Sequence, residues 1–189
     1  TATLTDPPPV LVLLGPDLEI GLGESIELAA NSTWDFADLP IVEWSSWPTG
    51  FEKTGGSELE AAPLTSTYFT ILVENGAGCA DLDTVLVKIR RDVPIYVPTA
   101  FSPNGDGLND FLEIYAGGGV QKIRHFEVFD RWGERVFEAA DFLVGDQNAG
   151  WDGQFLGKKA PPAVYIWWAE IELVDGRRVL AKGDFGLVR

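Results

Sequence analysis

Short apolar runs broken by turn residues are the feature of this 189-residue sequence that most limits its fold. The chain contains 21 Gly and 12 Pro, which separate short stretches where apolar and polar residues alternate. Alternation with a period of two is typical of strands that bury one face, whereas an amphipathic helix needs a period near 3.6. No long stretch has the helical period. The sequence therefore predicts an all-β protein.

Residues 10–92 contain one complete series of these runs. Its clearest strands are predicted at Ile41–Trp47, Tyr68–Glu74 and Thr84–Arg90. Trp44 lies in the middle of the first of them, placed like the core tryptophan between the two sheets of an immunoglobulin domain. The spacing therefore predicts a small immunoglobulin-like β-sandwich.

The pattern begins again at residue 93 and predicts a second β-sandwich over 93–189. Its longest strand is predicted at Ala163–Leu173, and Asp175-Gly176 directly after it is a two-residue hairpin signal. Residues 1–9 end in consecutive prolines, which predict an extended linker from an upstream region. The expected fold is thus two tandem Ig-like β-sandwich domains behind a linker.

Composition restricts the partners and the compartment. Lys and Arg total 14 against 29 Asp and Glu, and a formal net charge of −15 disfavours nucleic acid. Cys79 is the single cysteine, so no intrachain disulfide can form, which is compatible with secretion when the domains bury enough apolar surface. No apolar run approaches the roughly 18 residues of a membrane-spanning helix. A sequence that begins at Thr1 and contains no Met is expected to be a fragment of a longer precursor.

A loop rich in oxygen-bearing side chains is the candidate metal site. The candidate calcium ligands are Asn104, Asp106, Leu108 and Asp110, because alternating oxygens among glycines are typical of loops that wrap a hard cation. The alternative is a turn in which Asn and Asp side chains accept hydrogen bonds from their own backbone. Both interpretations stay open, and calcium is the one cofactor that the sequence suggests.

Tryptophans supply the candidate recognition surface. Trp168 is predicted on the polar face of its strand, and Trp151 and Asp152 lie in a glycine-flanked turn. Exposed aromatic rings beside carboxylates are typical of sugar-binding sandwiches, so a carbohydrate-binding module is an alternative function. The alternative is a purely structural role, in which the Trp168 ring covers a sheet edge against a loop.

Catalytic patterns are not found in the sequence. His125 is the only histidine, and the carboxylates alternate with apolar residues as they do on the solvated face of a sandwich. There is no nucleophile elbow, phosphate-binding glycine loop or zinc-ligand spacing. We therefore expect the chain not to be an enzyme.

Four ordered motifs in residues 93–189 resemble a known family, the gliding motility-associated C-terminal domain, which is the type B sorting domain of the type IX secretion system in Bacteroidetes. The motifs are Val97–Asp110, Phe129–Phe137, Gly150–Gly153 and Ala163–Tyr165. The chain departs from the usual pattern at Asp130, where the family has Asn before Arg-Trp-Gly, and at Pro161–Ala163, before Val-Tyr.

This resemblance implies an all-β sorting and attachment module of a large secreted, adhesin-like protein at the cell surface. The implied partners are the type IX translocon and its outer-membrane barrel or accessory proteins, and glycans are a further expected class. Residues 10–90 are similar to the PKD-like or immunoglobulin-like repeats that often precede this domain, and they would act as a spacer. The similarity there depends on Gly23-Glu24-Ser25, Trp44 and the turn at 75–79.

Two surfaces are hypothesised to contact the secretion machinery. One is the predicted hairpin tip at Arg131, Trp132 and Gly133. The other is the last strand, which ends at Arg189 and would present a free edge to another β-protein. A calcium-stabilised adhesion stalk remains the alternative that needs no such contact.

Overall fold

The computed structural model describes residues 9–189, and it is built almost entirely from β-strands. The chain divides into two compact units, at 1–91 and 92–189. Most of the predicted linker at 1–9 lies outside the described residues. Within the described range, no helix is both long and apolar enough to cross a membrane.

The first unit contains a five-stranded sheet and two short strand pairs. The sheet has the order β2-β9-β8-β5-β6, and β1 pairs with β4 and β3 with β7. A 3-10 turn at Phe36–Asp38 precedes β5. The strands are β1 (Val12–Leu13), β2 (Leu18–Gly21), β3 (Ile26–Ala29), β4 (Asn31–Ser32), β5 (Ile41–Trp47), β6 (Glu52–Thr54), β7 (Glu58–Ala61), β8 (Thr67–Glu74) and β9 (Ala80–Arg90).

Trp44 lies in the core of the first unit, as its position in the sequence predicts. It is buried, and its indole N–H donates to the carbonyl of Gly56 at 3.1 Å. β8 shows the same alternation, because Phe69, Ile71 and Val73 are buried while the side chains between them face outward. Period-two patterning therefore places this core correctly.

The second unit has the same general construction. Its five-stranded sheet has the order β11-β18-β17-β13-β14, and two short pairs, β10 with β12 and β15 with β16, complete it. A 3-10 turn occupies Gln147–Ala149. The strands are β10 (Ile95–Tyr96), β11 (Ala100–Phe101), β12 (Tyr115–Ala116), β13 (Val120–Phe129), β14 (Arg135–Phe142), β15 (Gln154–Phe155), β16 (Lys158–Lys159), β17 (Ala163–Leu173) and β18 (Arg178–Leu187).

β17 is the central strand of this sheet, and its bounds are those predicted from the sequence. Tyr165, Trp167, Ala169 and Ile171 are buried on one face, because successive side chains of a strand point to opposite sides of the sheet. A hairpin joins β17 to β18 where the sequence predicts one, but its loop has three residues rather than two. The Leu173 N–H donates to the Arg177 carbonyl at 2.8 Å, and only Gly176 of the loop has positive φ, at 81°. Local pattern thus predicted the longest strand and the place of its turn, but not the length of the loop.

Candidate functional site

The turn between β13 and β14 carries the predicted Arg-Trp-Gly tip, and the side chain of Asp130 holds it together. Its Oδ1 accepts hydrogen bonds from the backbone N–H groups of Trp132 and Glu134, each at 2.9 Å. The Gly133 N–H donates to the Asp130 carbonyl at 3.1 Å. A carboxylate oxygen accepts these bonds just as an amide oxygen would, so Asp130 can fill the place that the resemblance gives to Asn.

The tip presents an arginine and a tryptophan to solvent. Trp132 is 79% exposed, and the guanidinium carbon of Arg131 lies 5.0 Å from the centre of its ring. This is a cation–π pair, which orients both side chains without burying either of them. Both side chains are therefore exposed, and their contact with a partner stays a prediction.

A pocket of about 410 Å³ lies directly beside the tip. Its floor contains the buried residues Ala160 and Tyr165, and the Tyr165 hydroxyl donates to the Pro161 carbonyl at 2.9 Å. Burial raises the pKa of Tyr165, and the charge of Asp130 acts in the same direction, so the hydroxyl stays protonated at neutral pH. The remaining lining residues are Asp130, Arg131, Trp132, Glu134, Val136, Phe155, Leu156, Lys158, Lys159, Pro161, Ala163 and Val164.

Sequence reasoning did not find this pocket. Its walls come from the β13–β14 turn, the β15–β16 hairpin and the start of β17, which are far apart in the chain. The one local signal was Leu156-Gly157, an apolar residue at a hairpin position that usually carries Asn or Gly.

Trp151 is not a surface residue, so its prediction as an exposed recognition residue was wrong. It is completely buried, and its indole N–H donates to the Gln154 carbonyl at 2.8 Å. Its ring packs against Tyr165, Phe101 and Phe185, with centroids 5.1, 5.6 and 6.0 Å away. The sequence around Trp151 has the composition of a polar turn. It gives no sign of this packing, because the aromatic residues that contact Trp151 lie on other strands.

The side chain of Asp152 accepts hydrogen bonds within the same turn instead of pointing freely into solvent. Its Oδ1 accepts the backbone N–H of Gln154 at 2.9 Å, and its Oδ2 accepts the Gln154 side-chain amide at 2.8 Å. These bonds are those of an Asx turn. A role for Asp152 in recognition stays a prediction.

Trp168 lies on the outer face of β17, as predicted, but it is only half-buried rather than a free platform. Its indole N–H donates to Glu127 Oε2 at 3.0 Å, and its ring centroid is 6.4 Å from that of His125. The ring therefore covers part of the outer face of the sheet beside β13, and not a sheet edge against a loop as the alternative supposed. Glycan binding by Trp168 stays a prediction.

The end of the last strand is not the free edge that was hypothesised. β11 pairs with it in parallel, matching Ala100 to Gly186 and Phe101 to Leu187, and the Val188 N–H donates to the Phe101 carbonyl at 3.0 Å. β11 lies far from β18 in the chain, so no local sequence pattern could show that the two strands pair.

Arg189 is tied to the body of the second unit. It is exposed, and its guanidinium donates to the Gly153 carbonyl at 3.1 Å. The recognition role of Arg189 stays a prediction. Its hydrogen bond to Gly153 gives the side chain a structural role as an alternative.

The candidate calcium loop holds itself together through its own hydrogen bonds. The two oxygens of Asp110 accept the N–H groups of Gly105 and Gly107 at 2.7 and 2.8 Å. Asp106 Oδ1 accepts the Leu108 N–H at 2.8 Å, and the Asn104 amide donates to Asp106 Oδ2 at 2.9 Å. First the Asn104 amide and then the Leu108 N–H lower the pKa of Asp106.

These bonds are the ones expected of the plain Asx turn. The loop has only two carboxylates, and the described residues include no group of three or more His, Cys, Asp and Glu side chains placed to hold a metal ion. Calcium stays a prediction for Asn104, Asp106, Leu108 and Asp110.

We expect Asp110→Ala to lower the free energy of unfolding of the second unit by about 1 kcal/mol, because two exposed N–H groups lose their acceptor. Thermal melts of the wild-type chain in calcium and in EDTA separate the two interpretations, because the plain turn gives the same midpoint in both. Ser102→Ala, in the same loop, serves as the control. A midpoint that rises with calcium in the wild type and not in Asp110→Ala would instead establish the calcium loop.

Residues 95–183 match the model of one protein family, described as the CHU_C type IX secretion signal domain. The match lies within the second unit and contains the tip, the pocket and the buried tryptophan. The chain carries a type IX secretion signal domain. The resemblance of the four sequence motifs to a type IX sorting domain is thereby confirmed, and a signal of this kind implies export to the cell surface or secretion.

Solved structures similar to the chain are multi-domain β-proteins. Sidekick-1 immunoglobulin domains 1–5 are similar at 14% identity and a TM-score of 0.44, with 95% of this chain and 39% of that chain covered. A 1.5-MDa bacterial ice-binding adhesin is similar at 12% identity and a TM-score of 0.33, with 96% of this chain and 65% of that chain covered. Dimeric latent PorU from Porphyromonas gingivalis is similar at 8% identity and a TM-score of 0.36, with 91% of this chain and 19% of that chain covered.

At these identities and TM-scores the likeness carries no argument about this chain. The predicted class of two tandem Ig-like β-sandwiches is confirmed by the structure itself, in which each unit has a five-stranded sheet and two short strand pairs. The chain spans less than two thirds of the length of these solved chains. A search of curated proteins found no match.

Proposed function

We propose that the secretion signal domain, residues 93–189, directs export through the type IX secretion system and helps to place its parent protein on the cell surface. The parent would be an adhesin-like protein, and the partners would be the translocon and its outer-membrane barrel or accessory proteins. The observation that carries this proposal is the family match over 95–183.

The geometry of the domain supports a role in recognition by a protein. The exposed Arg131 and Trp132 lie on a rigid turn whose N–H groups are bonded to Asp130. Arginine and tryptophan are enriched among residues that dominate binding energies at protein interfaces. A preformed tip of this kind orders few side chains on binding, which lowers the entropic cost of association.

The first unit is proposed to act as a spacer that holds upstream domains away from the surface. It is a closed β-unit with its own core around Trp44, Ile71 and Val85. Residues 1–92 contain 15 acidic and 4 basic side chains, so the spacer would repel other anionic surfaces. The expectation that neither unit is an enzyme stays a prediction.

Secretion of a reporter tests the proposal directly. A folded reporter would be fused upstream of the full chain and expressed, with a leader for the periplasm, in a bacterium that has a type IX secretion system. We expect reporter in the medium or on the surface with residues 1–189, and retention in the periplasm with residues 1–92 alone.

The control is the same pair of fusions in a strain that lacks the translocon, where both should be retained. Equal secretion of the reporter with and without residues 93–189 would refute the sorting role.

A further inference from the structure

We propose that the pocket beside the Arg131–Gly133 tip is a docking site for an acidic polypeptide segment, which inserts an aromatic or aliphatic side chain between Trp132 and Leu156. The inference rests on the proposed export function, because it names the surface and the partner chemistry through which the domain would be recognised. The partner is a protein strand or loop that carries Asp or Glu around one large apolar residue.

The first observation is that Leu156 occupies an unfavourable position. It has φ 50° and is followed by Gly157 with φ 73°, so both central residues of the β15–β16 hairpin have positive φ, as in a type I′ turn. Asn-Gly suits such a turn, whereas an L-residue with a large side chain is strained there. Leu156 is also 84% exposed, so it has little packing to offset that strain.

A strained and exposed leucine on a rigid hairpin is typical of a residue kept for contact rather than for folding. It stands at the rim of the pocket with Trp132 and Val164, which are 79% and 59% exposed. The half-buried Phe155 and Val136 lie among the lining residues beneath them. The rim and walls thus form an apolar cleft that a single large side chain can enter.

The second observation is the charge around this cleft. The second unit has ten Lys and Arg residues, and five of them form ion pairs: Lys122, Arg124, Arg135, Arg177 and Arg178. Three of the other five line the pocket, namely Arg131, Lys158 and Lys159, and none of these has an ion-pair partner in the described part of the chain.

Unpaired cations around an apolar cleft make a favourable site for carboxylates, and they stand out on a chain whose net charge is −15. Of the two carboxylates at the rim, Asp130 already accepts two backbone hydrogen bonds. The rim therefore attracts negative charge while the cleft takes apolar surface.

A polypeptide fits these observations better than a membrane does. The apolar rim residues stand around a concave cleft, whereas insertion into lipid needs a convex apolar surface. The Arg131–Trp132 pair is of the type that dominates protein interfaces.

Binding of defined probes to the full chain tests the proposal. The probe is a short fluorescent peptide of Asp, Glu and Gly with one central Phe, and the comparison probes carry Ala in place of Phe or Lys in place of the acids. Anionic vesicles of phosphatidylglycerol form the fourth arm. We expect binding of the acidic Phe peptide alone, weakened by added salt because the rim charges are exposed.

Two variants separate binding from folding. Leu156→Asn removes the apolar tip but suits the turn better, so we expect an equal or higher melting temperature and peptide binding that is weaker by about tenfold or more. Lys158→Glu with Lys159→Glu reverses the rim charge and is expected to abolish binding. Lys182→Glu and Leu180→Ala, at exposed positions on β18, are the matched controls and should bind normally.

Three results would overturn the docking proposal: no binding of the acidic Phe peptide, binding that Leu156→Asn leaves unchanged, or capture by vesicles without capture by peptide. In the reporter fusion, Leu156→Asn should reduce secretion while Leu180→Ala should not. A wild-type fusion that fails to be secreted contradicts the export function itself, whereas normal secretion of Leu156→Asn contradicts only the docking site.

Discussion

Alanine in place of Trp151 is expected to lower the free energy of unfolding of the secretion signal domain by about 3–5 kcal/mol. The indole is completely buried against Phe101, Tyr165 and Phe185, which lie on three adjacent strands of one sheet, so its removal leaves a cavity against that sheet. Its N–H donor to Gln154 is lost as well. Because domains are stable by only about 5–15 kcal/mol, this single change removes a large share of the total.

Urea unfolding of residues 93–189, followed by circular dichroism, measures this effect. The control is Trp132→Ala, which truncates the same side chain at a position that is 79% exposed and should change stability by no more than about 0.5 kcal/mol. Equal losses for the two variants would contradict the burial of Trp151.

Gly153→Ala is expected to cost about 2–4 kcal/mol, although it adds only one methyl group. The residue has φ +72°, which strains any residue with a Cβ. The added carbon would also lie 2.7 Å from Pro103 Cγ, 3.3 Å from Leu187 Cδ1 and 3.4 Å from Phe101 Cζ. The proline ring is held by the backbone, so the clash must be relieved by moving the loop.

Gly176→Ala is the matched control for this change. Gly176 has φ +81° but no atom within 4 Å of an added Cβ, so it isolates the backbone strain, about 1–2 kcal/mol. Thermal melts of the two variants should therefore differ, with Gly153→Ala melting lower. Equal midpoints would show that the neighbours of Gly153 move aside without cost.

Both predictions concern the Gly150–Gly153 motif, and they divide the family motifs into two kinds. This motif holds the core, because Trp151 and Gly153 are surrounded by other strands. The Arg131–Gly133 tip instead faces solvent on a turn that Asp130 keeps in place. Damage to the first motif should impair export by unfolding the domain, whereas damage to the second should leave the domain folded.

Local pattern alone was enough for the strands and their faces. The bounds of Ile41–Trp47 and Ala163–Leu173, the burial of Trp44 and the place of the turn after β17 all follow from alternation and turn chemistry. Side-chain direction along a strand depends only on neighbouring residues, so the sequence by itself determined the all-β class and the two series of strands.

Tertiary structure decided which of the turn residues are buried and which can be reached. Nothing near Trp151 in the sequence shows that Phe101, Tyr165 and Phe185 enclose it, and nothing near Leu187 shows that β11 pairs with it. The pocket beside the tip likewise needs three distant segments to meet. Burial of a turn depends on contacts between residues far apart in the chain, and a period of two carries no information about them.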